Sequence, residues 1–586
     1  LYDALLPNRN FTKDQEFREQ LSVDWFICDG LRLKGQMAIV KGETSGEIYK
    51  SPFSAEFLKT TYNSESRVQE YLPIAERGYL SMTDGASFSY DGNVTLNYNT
   101  LVNEKHIIYA GAGLEVTQND NNSHGFIMTG FPDDRYSDPA FAIQYKKETK
   151  PSSSESKSRA IGFFANGNYS YDDRYFADVS VRIDGSSKFG ADKKYAPFWS
   201  AGAGWNVHNE KFFKHTKISM LKLRYSYGVT GNQEFSAYQA KTMFQFNTDR
   251  LYNSGISAAL MGYGNPDLEW QNQYQSNYGF DFGYAKDRIR LQFNYYQKKT
   301  EGMLTSVSVA PSLGLPSNTF TSNLGKIQNK GVEVNLNAVL IRDQGKDFEW
   351  SVMLQAAHNK NKIMEISTAL KNINEKNNQD KTTPAAVYEE GESMSAIKAV
   401  PSLGIDPTTG QELFMKKDGT ITYTWDATDK VICGDSEPKV FGNVGTNLYW
   451  KGWNLNMVFK YDLGADYYNS TLAERVEGAN PRYNADRRVL NNRWKEPGQH
   501  ALYKNIKEYT TTYISSRFVQ KENTLQLTSL SLSYDLNREW IRKFGLNTMR
   551  LSFYMNDVFR ASTVKNERGL DYPFQRSFVF GLNIGF

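Results

Sequence analysis

The last nine residues of the chain are the sequence feature that most constrains its fold. Apolar side chains occupy every second position there: Phe578, Phe580, Leu582, Ile584 and Phe586. A period of two is typical of a β-strand with one apolar face. A soluble domain rarely ends on such a strand, because chain termini usually extend into water. The pattern therefore predicts the closing strand of a bacterial outer-membrane β-barrel, whose terminal aromatic residue lies at the membrane interface.

The composition is compatible with a membrane barrel. The sequence contains no apolar run long enough for a membrane helix, yet only alternate residues of a barrel strand need to face lipid. Aromatic residues make up 14 % of the 586 residues, and the net charge is +3 with basic and acidic residues mixed throughout. This balance argues against a nucleic-acid partner. Two cysteines do not provide a disulfide framework.

Alternating apolar residues recur along the whole chain and predict 17 strands in an all-β fold. The predicted strands cover 16–28, 31–44, 88–101, 105–118, 159–171, 174–185, 198–207, 220–229, 271–284, 288–304, 327–341, 348–360, 439–450, 453–463, 523–535, 547–557 and 575–586. No change in composition marks a domain boundary. We therefore expect residues 1–586 to form one portion of a transmembrane antiparallel barrel.

The connections between these strands alternate between short and long. Short turns such as Asp29-Gly30, Asn103-Glu104 and Asp172-Asp173 contain the residues that tight hairpins require. The long connections cover 45–87, 119–158, 230–270, 305–326, 361–438, 464–522 and 558–574. Transmembrane barrels have short periplasmic turns and long extracellular loops. A soluble sandwich or propeller has no reason to place every long loop on one side.

The odd number of predicted strands leads to a second prediction. A complete bacterial barrel has an even number of strands, with both chain ends on the periplasmic side. Counting back from a final strand that ends in the periplasm places Leu1 outside the cell. An unclosed sheet in lipid would leave backbone groups unpaired. We therefore expect the missing strands to come from an N-terminal part of the same protein or from a companion chain.

Several local motifs are more specific than the barrel pattern. They are Arg182-Ile183-Asp184-Gly185-Ser186-Ser187-Lys188-Phe189-Gly190, Ala196-Pro197-Phe198-Trp199, Leu221-Lys222-Leu223-Arg224-Tyr225-Ser226-Tyr227-Gly228, Asn265-Pro266-Asp267-Leu268-Glu269-Trp270, Asn329-Lys330-Gly331-Val332-Glu333, Gly404-Ile405-Asp406-Pro407-Thr408-Thr409-Gly410 and Asn491-Asn492-Arg493-Trp494. In this order and spacing they resemble the SusC/RagA family of TonB-dependent outer-membrane transporters from Bacteroidetes. The resemblance extends over essentially the whole chain.

The resemblance implies a barrel of about 22 strands with an N-terminal plug domain in its lumen. This chain would hold the last 17 strands, and the plug and first strands would be absent from it. The implied partners are TonB, acting through that plug, a SusD-like surface lipoprotein that caps the barrel, and outer-membrane lipid or lipopolysaccharide. A dimer of transporter–lipoprotein pairs is also compatible with the resemblance. No cofactor and no nucleic acid are implied.

The function implied by the resemblance is active import of oligosaccharides across the outer membrane, driven through TonB. Import of oligopeptides by the same mechanism is the alternative. A passive porin and a surface receptor or adhesin that does not transport remain open as further alternatives. An enzyme is disfavoured, because the sequence has no nucleophile elbow, no phosphate-binding loop and no metal-ligand pair.

Three charged residues lie among apolar neighbours in predicted strands: Arg182, Asp184 and Arg224. Charged side chains on the lipid face cost about 2–4 kcal/mol at mid-depth. We therefore expect these residues to face the lumen and to form ion pairs on the barrel wall, with substrate contact as the alternative.

Aromatic residues in the long connections are candidates for substrate contact, because aromatic rings pack against sugars and peptide side chains. The candidates are Trp270, Trp425, Tyr467, Tyr468, Tyr483 and Trp494. Packing within the loops is the alternative use for each of them.

The connections 230–270 and 305–326 correspond, by the resemblance, to the loops about which the lipoprotein lid opens. They are rich in aromatic and aliphatic residues, which are enriched in protein interfaces. The candidate lid residues are Phe235, Tyr238, Phe244, Phe246, Tyr252, Tyr263, Val307, Val309, Leu313, Leu315 and Phe320. The alternative is that these loops pack on the barrel wall.

Phe586 resembles the terminal aromatic residue by which the insertion machinery of the outer membrane identifies barrels. We predict that Phe586→Ala or deletion of Phe586 lowers the amount of inserted protein, because the closing strand also loses its interfacial anchor. Surface labelling of intact cells measures this amount. Normal surface levels with lost uptake would contradict an assembly role.

Overall fold

A computed structural model describes residues 2–62, 67–190, 193–213, 217–232, 238–252, 255–265, 267–308, 319–323, 325–366, 371, 374–375, 377–382, 384–480, 485–508, 510–565 and 575–585. Strands dominate this part of the chain, and nearly all of the long ones belong to a single 18-stranded sheet. None of the helices in these ranges is long and apolar enough to cross a membrane.

The large sheet contains 17 long strands and the two-residue strand Gln144–Tyr145. In chain order the long strands are β1 (Arg9–Cys28), β2 (Leu31–Lys50), β3 (Tyr79–Val102), β4 (His106–Thr129), β5 (Ser152–Tyr171), β6 (Tyr175–Ser186), β7 (Tyr195–Asn206), β8 (Ile218–Asn232), β9 (Gln271–Tyr284), β10 (Ile289–Glu301), β11 (Lys326–Asp343), β12 (Phe348–Glu365), β13 (Val440–Trp450), β14 (Trp453–Tyr468), β15 (Val519–Asp535), β16 (Thr548–Ser562) and β17 (Phe578–Gly585). Strands β1 to β4 pair in sequence order, as do β8 to β17, and every one of these pairs is antiparallel. The 17 predicted strands and the all-β class are confirmed.

The strands extend further than predicted at the ends that carry the long connections. Strand β3 begins at Tyr79 rather than at 88, and β4 continues to Thr129 rather than to 118. These extensions contain Ser, Asp and Asn on both faces, so the alternation of apolar residues that signals a strand disappears there. Backbone pairing across β3 and β4 nevertheless continues to the last residue.

The long connections also contain short antiparallel strand pairings that the apolar pattern did not predict. They are Leu58–Tyr62 with Arg67–Tyr71, Met243–Tyr252 with Gly255–Gly262, Leu304–Ser308 with Thr319–Asn323, Ala396–Ala399 with Val431–Asp435, and the three-stranded Ser402–Ile405, Glu412–Met415 and Ile421–Thr422. Helical segments are short: the α-helix Arg538–Ile541, the π-helix Thr471–Glu477, and the 3-10 turns Tyr2–Leu5, Ala55–Phe57, Ile74–Glu76, Pro139–Phe141, Val207–Asn209, Lys211–Phe213, Ala427–Asp429, Arg487–Leu490, Ser516–Phe518 and Arg542–Phe544.

The predicted short turns have the backbone conformation that two-residue hairpins require. Asn103 and Glu104 have φ values of 51° and 54°, and Asp172 and Asp173 have φ values of 52° and 51°. Two successive residues with positive φ are characteristic of the type I′ turn, whose twist matches that of the flanking strands.

By compactness the chain divides into two units. The first unit consists of Leu1–Tyr169, Val179–Trp199 and Gln233–Glu269, and the second consists of Ser170–Asp178, Ser200–Asn232 and Trp270–Phe586. In the first unit a buried cluster of Tyr49, Leu80, Met128 and Phe131 lies where β2, β3 and β4 meet the long connections. In the second unit many of the fully buried side chains, such as Val400, Val476 and Phe518, also belong to connections rather than to the middle of strands.

Exposure alternates from residue to residue along β6 and in part of β4, as the period of two predicts. In β4, Ile108, Ala110 and Ala112 are exposed while Gly111 is buried. In β17, Phe580 and Leu582 are exposed, and Phe586 lies outside the described residues. We call the side with Ile108 and its neighbours the apolar face of the first unit, which is the side predicted to contact lipid.

Several glycines of the sheet lie directly beneath an aromatic side chain of the adjacent strand. A Cβ atom built on Gly442 would lie 1.9 Å from the carbonyl oxygen of Gln355 and 3.0 Å from the hydroxyl of Tyr461. The Tyr461 hydroxyl donates to that same carbonyl oxygen at 2.9 Å. A Cβ on Gly331 would likewise clash with the ring of Tyr296. These glycines are therefore required by space rather than by backbone conformation.

Candidate functional site

A row of amide side chains crosses one face of the second unit. The strand register places Gln292 opposite Asn335, Asn335 opposite Gln355, and Gln355 opposite Asn443. Asn335 Nδ2 donates to Gln292 Oε1 at 3.4 Å, and Asn443 Nδ2 donates to Gln355 Oε1 at 3.2 Å. Because adjacent strands are about 4.8 Å apart, this amide row extends over roughly 14 Å of the sheet.

The amide row is suited to binding neutral polar groups. Each carboxamide has two donor hydrogens and an acceptor oxygen, and the bonds within the row use only part of this capacity. All four side chains are half-buried, so their remaining donors and acceptors are open to a ligand. The next residues in register are charged: Asp281 lies opposite Gln292, and Lys460 lies opposite Asn443.

Arg224, predicted to form an ion pair on the wall, lies beside this row in the second unit. Its Nη2 is 2.8 Å from Asp281 Oδ1 and 3.1 Å from Asn294 Oδ1. The guanidinium thus joins β8 to β9 and β10. Asp281 is occupied by this contact, and the neutral amides are left as the available ligand groups.

Arg182 and Asp184 form a second charged cluster, in the first unit. Arg182 Nε is 2.5 Å from Asp184 Oδ1, and Arg182 Nη2 is 2.9 Å from Glu115 Oε2. These residues lie on the face opposite to the exposed Val181 and Ile183. The arrangement joins β4 to β6, which is what a structural ion pair on the wall would do. Substrate contact at this cluster stays a prediction.

The long connections of the second unit enclose a network of buried charges, which we call the loop core: Glu412, Glu477, Arg493, Lys504 and Arg517. Arg517 Nη1 lies 2.6 Å from Glu477 Oε2, and Arg517 Nη2 lies 2.9 Å from Glu412 Oε2. The Glu477 side chain is completely buried. Arg493 donates to the carbonyl oxygens of Val489, Glu477 and Lys504. Connections 366–439 and 469–518 are thereby tied together.

The charges of the loop core alter one another's protonation. Burial lowers the pKa of Lys504 and the pKa of Arg493. Burial would also lower the pKa of Arg517, but the hydrogen bonds and negative charge of Glu477 and Glu412 outweigh it, and the pKa of Arg517 is raised. Arg517 is therefore the cation that neutralises the buried carboxylates.

The predicted substrate-contact aromatics in the loops are largely engaged in packing. The Trp425 ring stacks on Tyr513 with ring centroids 5.2 Å apart, and its indole nitrogen donates to the Ile514 carbonyl oxygen at 2.9 Å. The Trp494 indole nitrogen donates to the Pro407 carbonyl oxygen at 2.8 Å. Trp270 is buried. Substrate contact stays a prediction for these residues, although the indole nitrogens of Trp425 and Trp494 are already used within the loops.

Three of the predicted substrate-contact aromatics remain: Tyr467, Tyr468 and Tyr483. Tyr467 and Tyr468 are the last two residues of β14, opposite Gln520 and Val519. The Tyr468 ring also packs edge-on against Phe518, with centroids 6.1 Å apart. Tyr483 lies outside the described residues. Substrate contact by Tyr467 and Tyr468 stays a prediction.

The first predicted lid connection forms a hairpin with exposed apolar side chains. In Met243–Tyr252 paired with Gly255–Gly262, Phe244 is 59 % exposed and Phe246 is 72 % exposed. Ile256 and Met261 on the partner strand are exposed too, as is the following Tyr263. Tyr238 is half-buried, and its hydroxyl accepts a hydrogen bond from the backbone N–H of Lys157 at 2.9 Å. A hairpin with so much exposed apolar surface is typical of a partner contact.

Other predicted lid residues cannot be placed as side chains. Tyr252 belongs to this hairpin, and Val307 and Phe320 belong to the hairpin Leu304–Ser308 with Thr319–Asn323. For these three the backbone alone is described. Phe235, Val309, Leu313 and Leu315 lie outside the described residues. The lid role of the second connection therefore stays a prediction.

The turn at Asp406 is held together by the side chain of that aspartate. Asp406 accepts hydrogen bonds from the Thr408 backbone N–H at 2.9 Å, the Thr409 hydroxyl at 3.0 Å and the Tyr423 hydroxyl at 2.5 Å. These hydrogen bonds lower the pKa of Asp406, and the bond from the Tyr423 hydroxyl has the largest effect. Within the described ranges no group of three His, Cys, Asp or Glu residues could hold a metal ion.

Sequence reasoning missed both the amide row and the loop core. Each strand contributes one Asn or Gln to the row, and a single such residue has no special meaning until the four are seen side by side. Their alignment depends on the register, which a single sequence does not reveal. The loop core is formed by residues up to 105 positions apart, such as Arg517 and Glu412. No local pattern could have identified them.

The chain matches known proteins over most of its length. The model of the family described as TonB dependent receptor-like, beta-barrel matches residues 6–558. TonB-dependent receptor P3 of Formosa agariphila is 28 % identical over 75 % of this chain and 46 % of its own length. TonB-dependent receptor SusC of Bacteroides thetaiotaomicron is 23 % identical over 85 % of this chain and 51 % of its own length. The chain thus spans about half the length of these curated relatives.

Solved structures show the same fold. The structure of the RagAB peptide transporter superposes with a TM-score of 0.85 at 20 % identity, over 99 % of this chain and 62 % of that chain. The RagAB peptide importer in its open-open state gives a TM-score of 0.83 at 21 % identity, over 99 % of this chain and 62 % of that chain. At this identity the likeness concerns the fold alone. With the family match over nearly its whole length, the chain belongs to the TonB-dependent receptor β-barrel family, whose members lie in the bacterial outer membrane.

Proposed function

We propose that this chain is the barrel portion of a TonB-dependent importer that carries oligosaccharides across the outer membrane. The amide row carries the substrate part of the proposal. Sugar hydroxyl groups both donate and accept hydrogen bonds, and the carboxamides of Gln292, Asn335, Gln355 and Asn443 do the same without the desolvation cost of a charge. The relative named SusC is a TonB-dependent receptor, which supports energy coupling through TonB.

Oligopeptides are the alternative cargo. They also present donors and acceptors, but their charged ends would favour a wall with unpaired charges. On the wall beside the amide row, Arg224 is paired with Asp281 at 2.8 Å, and Lys460 is paired with Asp462 at 3.2 Å. The neutral amides between these pairs therefore favour a neutral cargo.

Uptake by a deletion strain tests the substrate class. A strain without the full-length protein should lose growth on one class of oligosaccharide as sole carbon source. A strain without TonB should lose it too, whereas a passive porin would not need TonB. Loss of growth on oligopeptides with unchanged growth on all oligosaccharides would overturn the substrate assignment. Unchanged growth on both, with a ligand still bound at the cell surface, would instead indicate a receptor that does not transport.

The amide row gives a sharper test within the protein. Replacing Gln292, Asn335 and Gln355 together by leucine should raise the substrate concentration for half-maximal uptake by at least about tenfold, since each of three lost hydrogen bonds is worth roughly 0.5–1.5 kcal/mol. The matched control is Gln297→Leu, which removes an amide from the opposite face of β10. Equal uptake by the triple variant and the control would contradict a role for the row.

We further propose that a SusD-like lipoprotein caps the barrel by covering the apolar hairpin of residues 243–262. Phe244 and Phe246 are the most exposed aromatic side chains in the described part of this hairpin. Burying such rings against a partner stabilises an interface, and their loss at the centre of one costs about 2 kcal/mol or more. TonB would act through the N-terminal plug that the family resemblance implies.

Two negative charges on the hairpin test the lid contact. Phe244→Glu with Phe246→Glu should reduce co-purification of the lipoprotein by at least about tenfold, because a buried unpaired carboxylate is strongly unfavourable. The control pair is Leu403→Glu with Leu490→Glu, two exposed apolar residues of other long connections. If both pairs left co-purification unchanged, the hairpin would not be the lid contact.

A further inference from the structure

A cavity in the first unit combines three cations with no acidic residue in its described lining. It has a volume of about 520 Å³ and is lined by parts of β3 to β7 and of the connections 187–194 and 238–242. Arg159, Lys194 and Lys241 line it, together with the hydroxyl-bearing Tyr90 and Tyr195. A cavity of this composition attracts an anion with several acceptor oxygens.

Within the described part of the chain, no carboxylate is close enough to any of the three cations to form an ion pair with it. Arg159 Nε donates to the neutral amide oxygen of Gln118 at 2.7 Å. The nearby carboxylate of Asp120 is already held by Lys157 at 2.9 Å and by the Gln118 amide at 2.8 Å. The remaining guanidinium hydrogens of Arg159 are therefore available to a ligand.

The cavity lies at one end of the apolar face. On β4 the apolar residues Ile108 to Val116 lead along this face to the cavity, and Val116 itself is part of the lining. At about 3.3 Å per residue these eight steps extend roughly 26 Å. At a strand tilt of about 40° this corresponds to a rise of roughly 20 Å along the membrane normal, which is most of the apolar band of about 25 Å that a transmembrane barrel presents to lipid.

The cavity is about halfway along β3 and β4, at the end of their apolar stretch that is nearer to the long connections. From Val116, β4 continues to Thr129 and the connection 130–151, whereas its other end joins β3 through the short turn at Asn103. In outer-membrane barrels the long connections are extracellular. The cations therefore lie where the hydrocarbon of the outer leaflet ends and its head groups begin.

We propose that this cavity binds the phosphorylated head group of a glycolipid of the outer leaflet. The cations pair with phosphate oxygens, and the tyrosine and serine hydroxyls of the lining contact the sugar to which the phosphate is attached. The acyl chains lie along the apolar face, beside Ile161, Phe163 and Ile183. Basic pockets at the edge of the hydrocarbon bind anionic lipid head groups in the same manner.

Lipid retention by the purified protein tests this proposal. The full-length protein is placed in phosphatidylcholine nanodiscs that contain a phosphorylated lipid A or the same lipid A after phosphatase treatment. Retained lipid is counted by native mass spectrometry. The wild type should retain the phosphorylated form preferentially. Replacing Arg159, Lys194 and Lys241 by glutamine should weaken this retention on the order of 100-fold, as expected for three basic contacts.

Control variants distinguish a lipid site from a general effect of positive charge. Glutamine at Lys13, Lys105 and Lys416, which are exposed and outside the cavity, should leave retention unchanged. The charge-preserving variant Arg159→Lys, Lys194→Arg and Lys241→Arg should retain the lipid, which keeps the test valid if the glutamine variant assembles poorly. Equal retention of both forms of lipid A, or no effect of the glutamine variant, would overturn the proposal. Displacement by millimolar inorganic phosphate would show a site for free phosphate instead of a lipid.

Discussion

Replacing Arg517 by methionine is expected to unfold the loop core while leaving the strands inserted in the membrane. The change leaves Glu477 and Glu412 buried without their cation, and breaking a buried ion pair in this way costs about 3–5 kcal/mol. The connections 366–439 and 469–518 then lose the contacts that join them. Proteolysis of intact cells measures the result: the variant should be cleaved in these connections under conditions in which the wild type resists.

The control for this prediction is Arg550→Met. Arg550 pairs with Asp535 at 2.6 Å, but both side chains are about half exposed, and exposed pairs contribute about 0–1 kcal/mol. Adding Glu477→Gln to Arg517→Met should restore part of the protease resistance, since one of the orphaned charges is removed. If Arg517→Met resisted proteolysis as well as Arg550→Met, the buried network would not be what holds the connections together.

Replacing Gly442 by valine is expected to prevent assembly of the sheet around β13. Even a Cβ atom at this position would lie 1.9 Å from the Gln355 carbonyl oxygen, so the backbone of strand β12 would have to move. Overpacking of this kind typically costs about 1–3 kcal/mol, and more when backbone must shift. The amount of folded protein in the outer membrane should fall severalfold. Migration of unheated samples in detergent gels reports the folded fraction.

Gly35→Val provides the matched control, because Gly35 also lies within a strand of the large sheet and a Cβ atom there would meet nothing within 4 Å. It should assemble like the wild type. The double variant Gly442→Val with Tyr461→Ala should recover little, since the obstacle is the backbone of Gln355 as well as the ring. Normal assembly of Gly442→Val alone would show that the two strands can separate locally without cost.

The existence of the strands could be predicted because lipid imposes a pattern on the sequence. In β6, Val179, Val181 and Ile183 alternate with polar residues, and this alternation is visible without any knowledge of neighbours. Beyond the lipid band water contacts both faces, the constraint on side chains disappears, and the predicted ends of β3 and β4 were wrong by about ten residues.

The binding surfaces could not be predicted for a related reason. The alignment of Gln292 with Asn335 follows from register, and the contact of Arg517 with Glu412 follows from how two long connections fold together. Neither leaves a periodic trace in the sequence. The exposed aromatics Phe244 and Phe246 could be singled out, since apolar residues in a long connection stand out against a polar background.

The loop core has a consequence for how such receptors can diverge. Glu477 and Arg517 come from one connection and Glu412 from another, so each connection holds only part of the network of paired charges. If recombination replaced only one of the two connections, the buried charged groups of the other connection would lose their partners. The two segments should therefore be inherited together, as a pair that is exchanged or kept intact, while the hairpin at 243–262 remains free to change with whichever partner it meets.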